Sequence, residues 1–198
     1  NSDGYRIRSL TQTYYSNGKV NTSTDYRYAL GVTTAYYLNQ YDANGVRLRY
    51  LTQTYYSKGK VNTSYDYWYE SLGVITAYYL NQYDTTGVHL RYLKQSYYSN
   101  GKVNASYDYR YDNMGVLTTQ YYNQYNSDGY RIRSLTQTYY SNGKVNTSTD
   151  YRYALGVITA YYLNQYDANG LRIRYLTQTY YSNGKVNTSY DYWYDSLG

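Results

Sequence analysis

The sequence predicts an all-β fold, a repetitive antiparallel β-meander. All 15 glycines fall on one lattice, since neighbouring glycines are 14 residues apart except for two intervals of 13. Tyr, Thr, Val and Ile, which favour strands, fill the residues between the glycines, and Asp, Asn and Ser, which favour turns, precede them. Pro is absent, so no strand residue lacks the N–H donor that a ladder needs.

Each unit of about 14 residues consists of a turn of about four residues and a strand of about ten. Asn-Gly turns, such as the one at 17–18, predict a two-residue type I′ hairpin, because Asn and Gly tolerate the positive φ that this turn needs. In that register Tyr15 faces Val20 and Tyr14 faces Asn21.

Alternation along these strands sorts the side chains into two faces. The first face holds threonine, tyrosine and aliphatic side chains: Ile7, Thr11, Thr13, Tyr15, Val20, Thr22, Tyr26 and Tyr28. The second holds mostly charged and amide side chains: Arg6, Arg8, Leu10, Gln12, Tyr14, Lys19, Asn21, Ser23, Asp25 and Arg27. We expect the first face to pack against another sheet or subunit and the second to face solvent.

Three such units form a higher repeat of 41 or 42 residues, and the repeats span 1–41, 42–83, 84–125, 126–166 and 167–198. The one-residue difference falls at the Leu-Gly turns, where a length change does not reverse the faces of a strand. Residues 126–198 also repeat residues 1–73 with five substitutions. We therefore expect a single repeat array, a window of a longer chain, that forms an elongated rod, spiral or fibre.

A parallel β-solenoid, with residue i stacked on residue i+42, is the alternative fold. It ranks second because sides of about ten residues would enclose more volume than these side chains can fill.

The composition restricts the chemistry. There is no cysteine, which excludes disulfides and thiolate metal sites, and 19 basic against 13 acidic side chains give a net charge of +6. No apolar run approaches the roughly 20 residues of a membrane span. The basic excess fits a solvated face, and we expect no nucleic-acid partner and no membrane span.

Arginines spaced by two residues are predicted to share a strand face and to form a basic ladder: Arg6 and Arg8, Arg47 and Arg49, Arg131 and Arg133, Arg172 and Arg174. Beside tyrosines, such a ladder is typical of surfaces that hold single-stranded nucleic acid or stack sugars. The favoured interpretation is that these arginines pair with cross-strand acids such as Asp25 and cover tyrosine rings.

An Asn-x-Ser sequon occurs once in every repeat and predicts N-linked glycosylation. The acceptor asparagines are Asn21, Asn62, Asn104, Asn146 and Asn187. The alternative is that each of them is an ordinary polar cross-strand residue.

No other candidate site stands out. His89 replaces an arginine of the sibling repeats, so we interpret it as a surface residue and not as a base or ligand. The aspartates at turn starts, among them Asp42, Asp84 and Asp167, predict Asx turns. We expect no enzymatic activity, no metal site and no cofactor other than N-linked glycan.

The segment Tyr41–Tyr50 reads Tyr-Asp-x-x-Gly, then a strand, then Tyr, and residues 166–175 repeat this pattern. In this respect it resembles the YD-repeat units of Rhs-type bacterial proteins and teneurins. That resemblance implies an extracellular or secreted β-rich protein whose strands spiral into large shells or rods. The Tyr-Tyr-x-Asn-Gly-Lys units are similar to degenerate bacterial relatives of MORN repeats, another hairpin array.

These patterns together predict a structural protein of the extracellular space or cell surface. Its near-identical repeats would assemble with copies of itself into a filament or surface rod that carries N-linked glycan. The alternative is a Rhs-like shell or adhesive stalk that binds carbohydrate or encloses a cargo.

Overall fold

The computed structural model describes residues 4–195, which form fourteen β-strands. The chain divides into two compact units, residues 1–101 and residues 102–198. The strands of the first unit are β1 (Arg8–Tyr14), β2 (Val20–Ala29), β3 (Val32–Tyr41), β4 (Arg47–Tyr55), β5 (Val61–Tyr69), β6 (Ile75–Tyr83) and β7 (His89–Tyr97). Those of the second are β8 (Val103–Tyr111), β9 (Leu117–Tyr125), β10 (Arg131–Tyr139), β11 (Val145–Ala154), β12 (Val157–Tyr166), β13 (Arg172–Tyr180) and β14 (Val186–Trp193).

Within each unit every strand pairs antiparallel with the next strand in the sequence. The strands contain 7 to 10 residues. The predicted all-β antiparallel meander is confirmed, and the parallel solenoid is wrong because the described strands make no parallel pairs. The bodies of the predicted hairpins are also in the expected register, with Thr13 opposite Thr22 and Leu10 opposite Asp25.

The predicted two-residue turn at Asn-Gly is wrong. Gly18 is the only residue of this turn with positive φ, at 80°, and its N–H donates to the carbonyl of Tyr15 at 3.0 Å. The N–H of Tyr15 donates to the carbonyl of Lys19 at 2.8 Å and closes a three-residue loop over 16–18. This is a type I turn followed by a left-handed glycine, in which Asn17 needs no positive φ.

A β-bulge follows the turn. Thr13 lies opposite Thr22, but Tyr14 lies opposite Val20, so Asn21 is an extra residue on β2. The predictions that Tyr14 faces Asn21 and that Tyr15 faces Val20 are therefore both wrong, since Val20 lies opposite Tyr14. The three-residue loop and the bulge compensate each other, and the rest of the hairpin keeps the predicted register.

The type I′ turn occurs instead at the Leu-Gly corners of the 41-residue repeats. Leu30 and Gly31 both have positive φ, 49° and 79°, and Ala29 lies opposite Val32. The corner at 155–156 has the same conformation. The 42-residue repeats use a three-residue loop at this corner, so the one-residue difference is absorbed in the turn.

Side chains join successive turns that lie at the same end of the strands. From the β1–β2 turn, Tyr15 Oη donates to the carbonyl of Tyr41 at 2.7 Å, and Lys19 Nζ donates to the carbonyl of Asn44 at 2.7 Å. Lys60 contacts the carbonyl of Thr86 in the same way. We call these contacts turn latches. They satisfy turn carbonyls that the ladder leaves unpaired.

The acidic residues at turn starts form the predicted Asx turns. Asp42 Oδ1 accepts from the N–H groups of Asn44 and Val46 at 2.9 and 2.8 Å. Asp84 makes the same pair of bonds and adds the hydroxyl of Thr86, which lowers the pKa of Asp84. These carboxylates are therefore explained by turn geometry.

Neither face of the sheet carries a conventional hydrophobic core. Among residues 4–195, Leu80 is the only hydrophobic side chain that is buried, at 6% exposure. Most tyrosines of the strands are half-buried, which leaves their hydroxyls near water. Stability therefore rests mainly on cross-strand contacts that recur in each repeat.

Equivalent side chains of repeats 1 and 2, which both lie in the first unit, point to opposite sides of the sheet. Gln12 lies opposite Ser23, Ser23 opposite Asn39 and Asn39 opposite Tyr50, so these four side chains share a face. Gln53 is the repeat-2 counterpart of Gln12, but it stands an odd number of positions from Tyr50 on β4 and points to the other face.

The cause is the odd number of strands in a repeat. Because neighbouring strands are antiparallel and each repeat has three, equivalent strands of consecutive repeats run in opposite directions. The strands nevertheless follow one another in the same order across the sheet. The only rotation that reverses the strand direction and keeps this order is a half-turn about the axis that runs across the strands, and this half-turn exchanges the two faces.

Candidate functional site

One set of side chains lines a surface groove in three repeats, and each groove takes its lining from four consecutive strands. The repeat-1 groove is lined by Arg8, Leu10, Gln12, Ser23, Asp25, Arg27, Tyr37, Asn39, Arg47 and Tyr50. The repeat-2 groove is lined by Arg49, Leu51, Gln53, Lys60, Val61, Ser64, Asp66, Trp68, Tyr79, Asn81, Tyr83, Thr86, Gly87 and Tyr92. The repeat-4 groove is lined by Arg133, Leu135, Gln137, Ser148, Asp150, Arg152, Tyr162, Asn164 and Tyr175. Their volumes are about 620, 820 and 460 Å³.

An ion pair crosses the first two strands of each groove. In the repeat-2 groove, Arg49 Nε and Nη2 donate to the two oxygens of Asp66 at 2.9 and 2.8 Å. The hydrogen bond to Asp66 raises the pKa of Arg49. The guanidinium also lies 4.7 Å from the centre of the Trp68 ring. Such a two-pronged pair fixes both side chains and largely cancels their charges.

The same pair recurs in the sibling repeats, as the favoured interpretation of the arginines predicted. Arg8 Nε donates to Asp25 at 2.9 Å, and this bond lowers the pKa of Asp25. Arg133 Nη2 donates to Asp150 at 2.8 Å. These arginines are engaged by carboxylates.

The prediction that paired arginines share a strand face is wrong where the bulge intervenes. Arg47 lines the repeat-1 groove and covers Tyr50 at 5.4 Å, whereas Arg49 lines the repeat-2 groove. The reason is a bulge at Leu48, since Arg49 lies opposite Gln40 and Arg47 opposite Tyr41. A continuous basic ladder therefore does not form at this strand.

A chain of neutral hydrogen bonds lies beside the ion pair. Tyr55 Oη donates to Gln53 Oε1 at 2.9 Å, and Gln53 Nε2 donates to Ser64 Oγ at 3.3 Å. Ser64 is 7% exposed. This chain orients the glutamine amide within the groove.

The third strand contributes polar groups that the described structure leaves without a protein partner. Asn39, Asn81 and Asn164 hold the same position in the three grooves, and within residues 4–195 their side-chain amides make no hydrogen bond to protein. An amide supplies two donors and an acceptor. These side chains are the groups in the groove that are available to a ligand.

Sequence reasoning identified the Arg–Asp pairs but missed the groove. The signal was present as Arg-x-Leu-x-Gln, Ser-x-Asp and Tyr-x-Asn on successive strands of a repeat. Because the residues of each pattern are spaced by two, they lie on one face of their strand. Only the register of the strands shows that the three patterns lie on the same face of the sheet.

The predicted glycan acceptors lie outside the grooves. Asn21, Asn62, Asn146 and Asn187 are each the extra residue of a bulge. The first three of these and Asn104 are half-buried, and Asn187 is exposed. Glycosylation of these residues stays a prediction.

His89 lies at the margin of the repeat-2 groove. Its ring stacks on Tyr83 with centroids 4.8 Å apart, and partial burial lowers its pKa. No cluster of three or more His, Asp or Glu side chains suited to a metal occurs in the described part of the chain.

The part of the chain that the structure describes contains no helix long and apolar enough to cross a membrane.

Comparisons with known proteins identify no family. No family model matches the sequence, and no curated protein matches it. Among solved structures, a Bacteroides fragilis protein of unknown function aligns over 98% of this chain and 95% of its own, with 11% identity and a TM-score of 0.18. A porin-like protein from Bacteroides uniformis aligns over 92% of this chain and 87% of its own, with 13% identity and a TM-score of 0.24.

The TcdB2-TccC3 protein without its hypervariable C-terminal region aligns over 89% of this chain but 15% of its own, with 10% identity and a TM-score of 0.23. TM-scores this low carry no argument about fold or function. The description of the repeats and grooves therefore rests on this chain's own sequence and structure.

Proposed function

We propose that this chain is a structural segment of an extracellular β-repeat protein that forms a filament or surface rod and carries N-linked glycan. The observation that carries the proposal is the recurrence of one contact set in successive repeats. The Arg–Asp pair and the turn latch recur at equivalent positions. So does a hydrogen bond between the hydroxyls of the two threonines that face each other beside the bulge, at 2.7 Å for Thr54 with Thr63 and for Thr138 with Thr147.

This contact set suits extension of the array. Each repeat binds its neighbour through contacts that the next repeat makes again, so stability is gained in equal increments as repeats are added. A second copy of the chain that adds in the same register would make the same contacts. The proposal assigns the chain no catalytic role and no cofactor besides glycan.

Electron microscopy and mass spectrometry test this proposal together. We expect the protein purified from its native source to form filaments, and an amidase that removes N-linked glycans to release one glycan mass for each repeat of 41 or 42 residues. The matched control is Ser148→Ala, which removes the hydroxyl that the Asn146 acceptor site requires and should abolish one glycan. A monodisperse, unmodified monomer would contradict the proposal.

The second candidate function is a Rhs-like shell or adhesive stalk that binds glycans or encloses a cargo. The Tyr-Asp-x-x-Gly turns resemble YD repeats, and in this chain their aspartates form Asx turns. The grooves favour the glycan-binding form of this candidate, since they combine aromatic rings with amide and hydroxyl groups.

A further inference from the structure

We propose that the repeat-1 and repeat-2 grooves bind neutral oligosaccharide and, because they open on opposite faces of the sheet, that the chain cross-links polysaccharide. The inference supplies a site for the glycan-binding form of the second candidate function. Sugar binding does not require filament assembly, so an experiment can contradict this inference without contradicting the proposed structural function, and the reverse.

Most charged side chains of the grooves are already bound to other groups of the protein, which favours a neutral ligand. In the repeat-2 groove both oxygens of Asp66 are bound by Arg49, and Lys60 is directed to the carbonyl of Thr86. In the repeat-1 groove Arg8 and Arg27 both donate to Asp25, at 2.9 and 3.1 Å, whereas Arg47 lies over the Tyr50 ring and is not paired with a carboxylate among the described residues. In the repeat-2 groove an anionic ligand would have to compete with the internal bonds of Arg49 and Lys60.

Aromatic rings provide apolar surface for the C–H faces of a sugar ring. Trp68 is 40% exposed, and on its β6 side it lies opposite the small Ala77, which leaves open space beside the indole. Tyr79 and Tyr92 line the same groove. Rings of this kind combine an apolar body with a polar tip, which matches the alternation of C–H and hydroxyl groups on a pyranose.

Amide and hydroxyl groups complete the match. Asn81 has no partner within the described protein, and its amide can both donate to and accept from a sugar hydroxyl. Gln53 and Ser64 are held beside it by their own hydrogen bond. The volumes of about 820 and 620 Å³ lie in the range of roughly 300–1,000 Å³ that is usual for ligand pockets.

The register places the two grooves on opposite faces. On β4, Tyr50 lines the repeat-1 groove, whereas Leu51 and Gln53 line the repeat-2 groove. Since alternate residues of a strand point to opposite sides, one chain presents a binding groove to each side of the sheet. Two polysaccharide strands can then be held at once, and multivalent contact strengthens weak individual sites.

Titration calorimetry on the full chain tests the site. The probes are hexasaccharides of β-1,4-linked glucose, β-1,4-linked N-acetylglucosamine, α-1,4-linked glucose and β-1,4-linked mannose, with hexagalacturonate as the charged comparison. We expect binding of at least one neutral probe. In a Trp193→Phe background, the fluorescence of Trp68 should change with the same midpoint, because this residue lines the groove.

Two variants locate the binding. Asn81→Ala should weaken repeat-2 binding about tenfold, the effect of one lost hydrogen bond. Trp68→Arg should also weaken it, and repeats 1, 3 and 4 carry arginine at this position, so folding is preserved. Gln82→Ala, next to Asn81 but on the opposite face, is the control and should leave the Trp68 signal unchanged. Binding of hexagalacturonate alone, no binding, or equal effects of Asn81→Ala and Gln82→Ala would overturn the site.

Cross-linking is measured separately, by the turbidity of a solution of the protein with a soluble polysaccharide. The polysaccharide is chosen to match the hexasaccharide that binds: hydroxyethyl cellulose, glycol chitin, amylose or galactomannan. We expect the full chain to aggregate the polymer. Asn123 is the repeat-3 counterpart of Asn81, since it lies opposite Ser106 as Asn81 lies opposite Ser64. Replacing Asn39, Asn123 and Asn164 by alanine should lower the turbidity, whereas binding in the repeat-2 groove, which Trp68 fluorescence reports, should remain. A chain that binds the hexasaccharide but never aggregates the polymer would overturn the inference that it cross-links polysaccharide. Filaments without sugar binding would contradict this inference and leave the structural proposal intact.

Discussion

Two leucines adopt a backbone conformation that disfavours their side chains. Leu30 and Leu155 have φ of 49° and 48° because the two-residue turn requires positive φ at its first central position. For an L-residue with a Cβ this region costs roughly 1–2 kcal/mol. Both leucines are exposed, so packing offers little compensation.

Leu30→Asn is therefore expected to stabilise the protein by about 1 kcal/mol, since asparagine tolerates this region. Urea unfolding followed by Trp68 fluorescence in a Trp193→Phe background measures the free energy of unfolding of the first unit. Leu72→Asn is the matched control, because Leu72 is equally exposed but lacks positive φ, and its effect should stay within about 0.5 kcal/mol. Equal effects of the two substitutions would show that Leu30 is not strained.

The tyrosines make the fold sensitive to alkaline pH. Burial, with a smaller contribution from Tyr67, raises the pKa of Tyr78 to about 12. Burial also raises the pKa of Tyr36, Tyr55, Tyr67, Tyr97, Tyr111, Tyr122, Tyr139, Tyr161 and Tyr180. All these groups are neutral in the folded state at neutral pH.

We expect stability to be lost between pH of about 10 and about 12. Below this window both states keep the tyrosine proton, so the full stability is present. Within it the unfolded chain releases protons that the folded chain retains, and unfolding is favoured. Far-UV circular dichroism and tyrosinate absorbance should change together, and Tyr78→Phe should move the transition to higher pH. Ionisation near pH 10 with an intact sheet would contradict this expectation.

At the scale of the hairpin, the turn latches join the turn of one hairpin to the turn of the next. Asn17 Nδ2 reaches the carbonyl of Ala43 at 2.8 Å, and Lys19 Nζ reaches that of Asn44. In repeat 2 the asparagine is replaced by Lys58, whereas Lys60 still contacts Thr86.

Two substitutions in this turn should act in opposite directions. Lys60→Met removes the latch donor and should lower the free energy of unfolding by about 1 kcal/mol. Lys58→Asn should raise it by a few tenths of a kcal/mol or more, because it supplies the amide that binds a carbonyl in repeat 1. Lys58→Met is the control for loss of a surface charge. Urea unfolding measures all three, and equal losses in Lys60→Met and Lys58→Met would rule out a role for the latch.

The strands and their register could be predicted from sequence because residue types alternate with a period of two and glycines mark every turn. The turn type could not, since Asn-Gly-Lys is compatible with both a two-residue and a three-residue loop. The three-residue loop also forms at 57–59, where Lys58 takes the place of the asparagine, so the Asn-Gly pair does not by itself identify the turn type. A bulge of the same kind, at Leu48 beside the next turn, places Arg47 and Arg49 on opposite faces.

The groove could be predicted only in part. The Arg49–Asp66 pair follows from cross-strand charge pairing, whereas the convergence of Gln53 and Asn81 requires the register of three strands at once. The exchange of faces between repeats was available in principle from the count of three strands per repeat.

At the scale of the whole molecule, the two units of the chain should fold independently. Contacts within each unit join consecutive strands, so each unit has the local pairing it needs. Fragments of residues 1–101 and 102–198 are expected to show β-sheet circular dichroism and one cooperative urea transition each. Trp68 and Trp193 report on them separately. A fragment that is unfolded alone but folds on mixing with the other would contradict this expectation.

The corner at Leu30 has a consequence for how the gene can change. Loss of one codon inside a strand would reverse every following side chain, but at this corner the two-residue and three-residue turns both deliver the next strand in the same orientation. At this corner such a deletion places a leucine at positive φ but leaves the orientation of the following strand unchanged, so the array can lose a residue here and keep its alternating surfaces.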